Sequence, residues 1–192
     1  MSANKDSIIT LPNSHLRQPS RKVGLITPAV RDLIRDMKAA LVDWEDSRDH
    51  EIAVALAAIQ IDQAMRVVII REDFDDKHNQ NFLVYINPEI TKLDGKVIED
   101  YEGCLSIRDI YGMVPRYSRV KVKAIDENGA VIRVTAEGFL ARIFQHEIDH
   151  TKGVTFVDHI KDQTDAFYKL TSSGHLKELD YDKDIKDSSL WE

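Results

Sequence analysis

Residues Phe139 to Gly153 read FLARIFQHEIDHTKG and carry the spacing His146-Glu147-x-x-His150. At about 100° of turn per residue, Phe139, Ile143, His146 and His150 fall on one stripe, with Glu147 at its border. Arg142, Gln145, Asp149 and Lys152 fall on the other side. The pattern predicts a helix over about 137–150 that turns both histidines toward a core, leaves the charged residues in solvent and stops near Gly153 as a C-cap. Two imidazoles one turn apart can share one metal ion, and a glutamate beside the first can reach a water on that ion and take its proton. The alternative is a helix with two hydrogen-bonded core histidines and a solvated glutamate. Leaving a buried histidine without a partner costs about 1–3 kcal/mol, so something polar or metallic must face each of them.

Working outward, two dipeptides signal hairpins between alternating strands: Asn128-Gly129, between RVKVKAIDE and AVIRVTAE, and Asp94-Gly95, between ITKL and KVIE. Arg66 to Ile70 (RVVII) and Phe82 to Ile86 (FLVYI) read as strands, the second closed by Asn87-Pro88. Toward the N-terminus, Val30, Leu33, Ile34, Met37, Leu41 and Trp44 recur at helical spacing, with Thr27 placed to cap and Pro28 at the first helical position. The run IAVALAAIQI is too short and alanine-rich to assign by period. After about residue 160 the chain turns polar and acidic, with a short helix expected around Asp165 to Leu170 and a loosely held tail. The expected fold is α+β: antiparallel sheets packed around a central helix that carries the histidines, with an N-terminal helix. Residues 1–160 form a single catalytic domain on this reading, and 161–192 a polar acidic extension of the same domain.

With 43% hydrophobic residues the chain has enough apolar material for one core and too much for disorder. No apolar run reaches the roughly 20 residues that cross a bilayer, and MSANKDSIIT lacks the basic-then-apolar order of a secretory signal. A cytoplasmic protein that avoids membranes is expected. The 33 acidic against 26 Lys and Arg residues give a formal charge of −7, which argues against a phosphate-tracking surface and direct nucleic-acid binding. One cysteine, Cys104, excludes an intramolecular disulfide and leaves three roles open: core filler, nucleophile or metal ligand.

A catalytic ion of this kind keeps three protein ligands and one open position. Candidates for the third ligand are Cys104, a carboxylate, and His15, His50, His78, His159 or His175. His159 and His175 could also serve a zinc-protease reading, although neither stands in an extended motif. Local context does not choose. The wider pattern does: EGCLS at Glu102 to Ser106, followed by QHEIDH at Gln145 to His150, resembles the paired signature of the peptide deformylases. The resemblance covers roughly residues 8–160, including LPNSHLR, Asn87-Pro88 and Val114-Pro115-Arg116. Its start near residue 8 leaves no room for a cleaved transit peptide.

The resemblance implies that Cys104, His146 and His150 hold one divalent ion, usually Fe²⁺, with Zn²⁺, Ni²⁺ or Co²⁺ able to substitute. Thiolate and imidazole donors suit those ions better than Mg²⁺ or Ca²⁺. Glu147 is then the general base, and the Gln60 side-chain amide and Leu105 N–H stabilise the oxyanion. Glu102 pairs with Arg116 and orders the cysteine loop. The implied reaction releases formate from N-formylmethionyl peptides and nascent chains, catalysed by a monomer or weak dimer.

One family motif departs from the pattern. The usual GxGxAAxQ stands here as Ala53-Val-Ala-Leu-Ala-Ala-Ile-Gln60, with alanine at Ala53 and Ala55 and Ile59 in place of proline. This segment is expected to line the substrate cleft with Val54, Gly103 and Ile143, its backbone pairing with the extended peptide. Alanine adds a methyl there and penalises positive φ. Either the methyls only narrow a normal groove, or the cleft is reshaped, giving an altered N-acyl substrate or weak activity. The acidic C-terminus offers no basic helix for ribosomal RNA.

Overall fold

A computed structural model describes residues 3–48, 51–74, 76 and 78–192. Helix α1, Pro28–Asp46, begins with Pro28 in its first turn and buries Val30, Leu33, Ile34, Met37, Leu41 and Trp44, the predicted stripe. Met37 and Leu41 are fully buried; each such side chain contributes about 1.5–3 kcal/mol. Thr27 occupies the capping position but makes no side-chain capping bond, and the helix continues past Trp44 to bury Glu45 as well.

The unassigned alanine-rich run divides into strand β1, Ala55–Ala57, and a 3₁₀ turn, Ala58–Ile61, which ends at Asp62 with φ of 60°. Strand β2, Val67–Arg71, is wholly buried and pairs antiparallel with β1. Two long strands follow, β3 (Phe82–Cys104) and β4 (Ile107–Ile125), forming one bent antiparallel ribbon.

That ribbon corrects two expectations. Asn87-Pro88 does not close a strand and Asp94-Gly95 does not turn a hairpin; both are bulges inside β3. Gly95, at φ +78°, and Lys96 oppose the single residue Ser118, whose Oγ accepts from Lys96 N at 3.1 Å. A glycine at positive φ serves a bulge as well as a turn. Asn87, at φ 53°, holds its bulge by accepting from Val23 N and donating to Val23 O, both at 2.8 Å, and Pro88 tolerates the unpaired position. The real reversal comes at Leu105-Ser106, so Cys104 sits at the tip of the ribbon.

Asn128-Gly129 does form the predicted hairpin, joining β4 to β5, Val131–Glu137, with Gly129 at φ +90°. Gly138, at φ +57°, then turns the chain into helix α2, Gly138–His150. At its far end Gly153, at φ +77°, lies so close to the Arg17 carbonyl that a Cβ would collide with it.

The expected helix at Asp165 to Leu170 is instead strand β6, Phe167–Leu170, which pairs with β4 and with β7, Leu176–Glu178. Nor is the tail loose. Phe167, Ile185 and Leu190 are buried with Val114, Phe156, Val157 and Ile160 in one apolar cluster. Arg17 Nη2 and Trp191 Nε1 donate to the Leu190 and Ile185 carbonyls, each at 2.8 Å. The tail residues among them come in short clusters, Ala166-Phe167-Tyr168 and Leu190-Trp191, or singly, as Ile185 does, and so leave no period to read. Strand order is β1-β2-β3-β4-β6-β7, with β5 also on β4. The α+β architecture is as expected, with α2 packed against the sheet. Among the described residues no helix is long and apolar enough to cross a membrane.

Candidate metal centre

The ribbon tip and α2 bring Cys104, His146 and His150 together, with one ligand atom from each lying within 4.8 Å of the others. Cys104 Sγ is 3.2 Å from His150 Nε2, and the two imidazole centroids are 4.9 Å apart. His146 Nδ1 donates to Glu102 Oε2 at 3.0 Å, which leaves its other nitrogen for the cluster. A thiolate with two imidazoles fits a borderline divalent ion, and a fourth position stays open to the cleft. One buried atom supports that fit: Glu147 Oε2, in the cleft lining beside the ligands, has no hydrogen-bond partner among the described residues.

Electrostatics separate these groups. Burial pushes the Glu147 carboxyl up to about 7. Burial, reinforced by the neighbouring His146 charge, holds His150 well below the usual imidazole range. Burial opposes the charged form of His146 too, yet hydrogen bonds to Cys104 and Glu102 win and raise it. Glu102 is likewise desolvated, but bonds from His146 and Arg116 hold it down to about 2.

Behind the ligands, α2 corrects the prediction of a solvated face, since every residue from Ala141 to His150 is buried. Arg116 grips Glu102 through Nε and Nη2 at 2.9 and 3.1 Å, and Arg142 Nη1 donates to the same carboxylate at 2.8 Å. Arg142 also donates to the carbonyls of Val114 (2.7 Å) and Ile98 (2.8 Å). Asp149 accepts from Arg116 Nη1 at 2.6 Å and from His159 Nε2 at 2.8 Å. Gln145 exchanges bonds with Tyr117 N and O at 3.1 and 2.8 Å. Each polar group on this face therefore finds a partner, mostly on β3 and β4. Phe139, placed on the core stripe by period, is half exposed and lines the cleft.

A cleft of about 270 Å³ opens onto the centre. Val54, Ala55, Gly103 and Ile143 line it, together with Gln60, Leu105, Cys104, His146 and Glu147. Tyr101 and Tyr111 stand in its wall, whereas Phe144 is buried against Tyr85 with centroids 4.9 Å apart. Gly103 is fixed by packing, because an added Cβ would come within 2.6 Å of the Tyr111 ring. Gln60 aims Nε2 at Cys104 Sγ (3.5 Å) and Ser106 Oγ (3.2 Å), while its Oε1 accepts from Ala57 N at 2.8 Å.

Ala53 is the exception among the cleft residues. It lies buried behind the cleft, its N–H donating to Glu45 Oε2 at 2.7 Å and its C=O accepting from Arg71 Nε at 3.2 Å. Positive φ at non-glycine residues occurs, among the described residues, at Asp62, Asn87 and Asp109, so Ala53 and Ala55 carry no left-handed strain.

The spare histidines do not join the centre. His15 pairs with Asp62, His159 with Asp149, and His175 approaches Ser173. His78 is exposed, and His50 lies outside the described residues. Sequence reasoning missed Arg142, Asp149 and His159 as supports of the centre. For Arg142 and Asp149 the signal was two ionisable side chains on the flank of the helix away from Glu147, which a doubly covered helix must pair; His159 lies outside the helix and gave none.

Residues 5–166 match the family model described as polypeptide deformylase. The peptide deformylase of Aquifex aeolicus is 42% identical over 154 residues, covering 80% of this chain and 86% of that one. That of Thermomicrobium roseum is 38% identical over 165 residues, covering 84% and 89%. Among solved structures, a peptide deformylase from Synechococcus elongatus in complex with actinonin superposes with a TM-score of 0.73 at 35% identity, covering 81% of this chain and 80% of that one. One from Legionella pneumophila gives 0.72 at 35% identity, covering 82% and 86%. With the Cys-His-His centre in place and likeness running over most of the chain, this protein belongs to the peptide deformylase family and is a metal-dependent hydrolase with deformylase activity.

Proposed function

We propose that the protein removes the formyl group from N-formylmethionyl chains with Fe²⁺ as its native ion, Glu147 as general base, and Gln60 and Leu105 as oxyanion donors. The observation that carries this reading is the buried, unpartnered Glu147 Oε2 beside the three ligands. A divalent ion held by Cys104, His146 and His150 supplies Lewis acidity and makes water more acidic. Glu147 Oε2 accepts the proton as water adds to the formyl carbon, then returns it to the nitrogen as the C–N bond breaks. Formate and a free methionine amine leave. A carboxyl lifted by burial is suited to both transfers. Gln60 Nε2 and the Leu105 N–H meet the developing oxyanion. Glu102, itself pinned by Arg116, keeps the His146 ring in one tautomer.

The peptide extends along β1, where Ala55 presents its main-chain groups away from β2. Ordinary backbone angles at Ala53 and Ala55 support a groove that is narrowed but open to standard formyl peptides. Residues 1–160 act with 161–192 as one cytoplasmic unit, a monomer or weak dimer without a nucleic-acid surface, in keeping with the charge of −7. The test is anaerobic purification with metal analysis, followed by formate release from formyl-Met peptides after reloading with Fe²⁺, Ni²⁺, Co²⁺ or Zn²⁺. Iron as the bound ion with formate release supports the proposal. Zinc bound at full occupancy with full activity would overturn the iron assignment, and no formate with any ion would overturn the reaction.

A further inference from the structure

The end of α1 and the end of β2 are joined by an ion pair that neither the reaction nor the metal centre uses. Arg71 Nη2 meets Glu45 Oε2 at 2.7 Å, with the two side chains 0% and 3% exposed. Each partner also holds one main-chain group of Ala53: Glu45 Oε2 accepts its N–H, and Arg71 Nε donates to its carbonyl. Arg71 further donates to the Asn79 carbonyl and stacks over Phe82, 5.0 Å from the ring centroid. The guanidinium is therefore fixed from several sides. One residue on, the Val54 carbonyl accepts from Arg71 N at 2.7 Å, which makes Val54 and Arg71 a hydrogen-bonded pair. Alternation in an antiparallel ladder then turns the N–H and C=O of Ala55 away from β2, toward the cleft that Val54 and Ala55 line. At the other end Ala57 N is occupied by Gln60 Oε1. The docking edge is thus bounded on both sides by side chains that bind its backbone.

We propose that the Glu45–Arg71 pair is a positioning clamp for the substrate peptide: by holding both main-chain groups of Ala53, it sets the height and tilt of the Ala55 edge against which a formyl peptide adds as a strand. The clamp acts on peptide affinity and leaves the metal untouched, since neither residue contacts Cys104, His146, Glu147 or His150. It rests on the proposed binding of the peptide along β1. Breaking one partner of a buried pair leaves a stranded charge, whereas exchanging both for apolar residues is far better tolerated. The informative variant is accordingly Glu45→Leu/Arg71→Met, loaded with Ni²⁺ and assayed for formate release from a formyl-Met tripeptide.

With metal content unchanged, KM is expected to rise about tenfold, the loss of roughly one charge-assisted hydrogen bond, while kcat stays within about threefold. Glu45→Gln/Arg71→Met, which keeps an acceptor for Ala53 N–H without leaving the Arg71 charge unpaired, is expected to return part of that KM. A folded, metal-loaded double variant whose KM and kcat both match the parent would overturn the proposal, leaving the pair a purely structural bond. Should the double variant fail to fold, residue-resolved deuterium exchange on the parent decides: an Ala53 amide protected like those of β2 supports the clamp, and exchange at loop rates overturns it. That readout needs no turnover, so it separates failure of the clamp from failure of the deformylase reading, which would appear as absence of formate release by the parent.

Discussion

The two sides of α2 are alike in composition and opposite in hydrogen bonding. Both are buried and both carry ionisable groups. On the side facing β3 and β4, Arg142, Gln145 and Asp149 make direct, short bonds to Glu102, Arg116, Tyr117, His159 and backbone carbonyls. On the side facing the cleft, Glu147 Oε2 finds no partner among the described residues, and the donor atoms of Cys104, His146 and His150 converge. Saturated polar burial builds a rigid support, because every group left unpaired there would cost stability. Unsaturated polar burial is retained only where a ligand or a proton transfer uses the spare capacity. Glu102 joins the two sides, paired with two arginines behind and with His146 in front.

Removing the front side is expected to abolish activity without loss of fold. Glu147→Ala should lower kcat by about 10²–10⁴-fold with metal content unchanged, read by formate release and metal analysis. Cys104→Ala or chelation should remove the ion and the activity while far-ultraviolet circular dichroism is preserved, since none of the ligands is among the buried residues of the three apolar clusters and Cys104 only packs against the edge of one. Loss of fold on chelation would break the distinction between the two sides.

Attacking the joint should damage both. Glu102→Ala leaves Arg142 without a carboxylate partner and Arg116 with Asp149 alone, at about 3–5 kcal/mol, and loosens His146, weakening metal affinity by about 10–100-fold. Thermal unfolding and metal titration would both register it.

The sides should also answer pH with opposite sign. In chelated protein, Glu102 sits at about 2, below its ordinary 4.5, so the stability it contributes is present above pH 4.5 and is lost as pH falls through 2. Glu147 sits at about 7, above 4.5, so its contribution is complete below pH 4.5 and is lost as pH rises through 7. Glu147→Gln should therefore flatten the decline between pH 4.5 and 7, a difference of roughly 3 kcal/mol, while leaving the acid limb in place. Urea unfolding across that range would show it. The smallest effect belongs to the rim of the support: His159→Ala removes one bond from Asp149, and a loss of about 0.5–1.5 kcal/mol is expected with kcat unchanged.

Legibility in the sequence followed the range of the interaction. His146, Glu147 and His150 declare themselves because helical spacing alone brings them together, and the α1 stripe for the same reason. Cys104 became readable through its motif and not through its own surroundings. Asp94-Gly95 misled because positive φ suits a bulge and a turn equally; the length of β4 opposite decides between them, and that is not a local property. Arg142 and Asp149 misled because amphipathic reasoning assumes a helix covered on one side, whereas α2 is covered on both. Glu45 and Arg71 drew no notice, since their pairing joins distant segments and neither stands in a motif. The C-terminal packing went unread because its apolar residues, Phe167 with Ala166, Ile185, and Leu190 with Trp191, are short and widely spaced in an otherwise polar stretch.

The most direct test of the central claim, that unsaturated burial on α2 marks the working side, is formate release by Glu147→Ala and Asp149→Asn measured beside metal content and unfolding midpoint. The account predicts that the Glu147 variant keeps its metal and is no less stable but loses about 10²–10⁴-fold in kcat, whereas the Asp149 variant unfolds more easily and, where folded and loaded, turns over at close to the parent rate. A Glu147 variant that releases formate at the parent rate would contradict it.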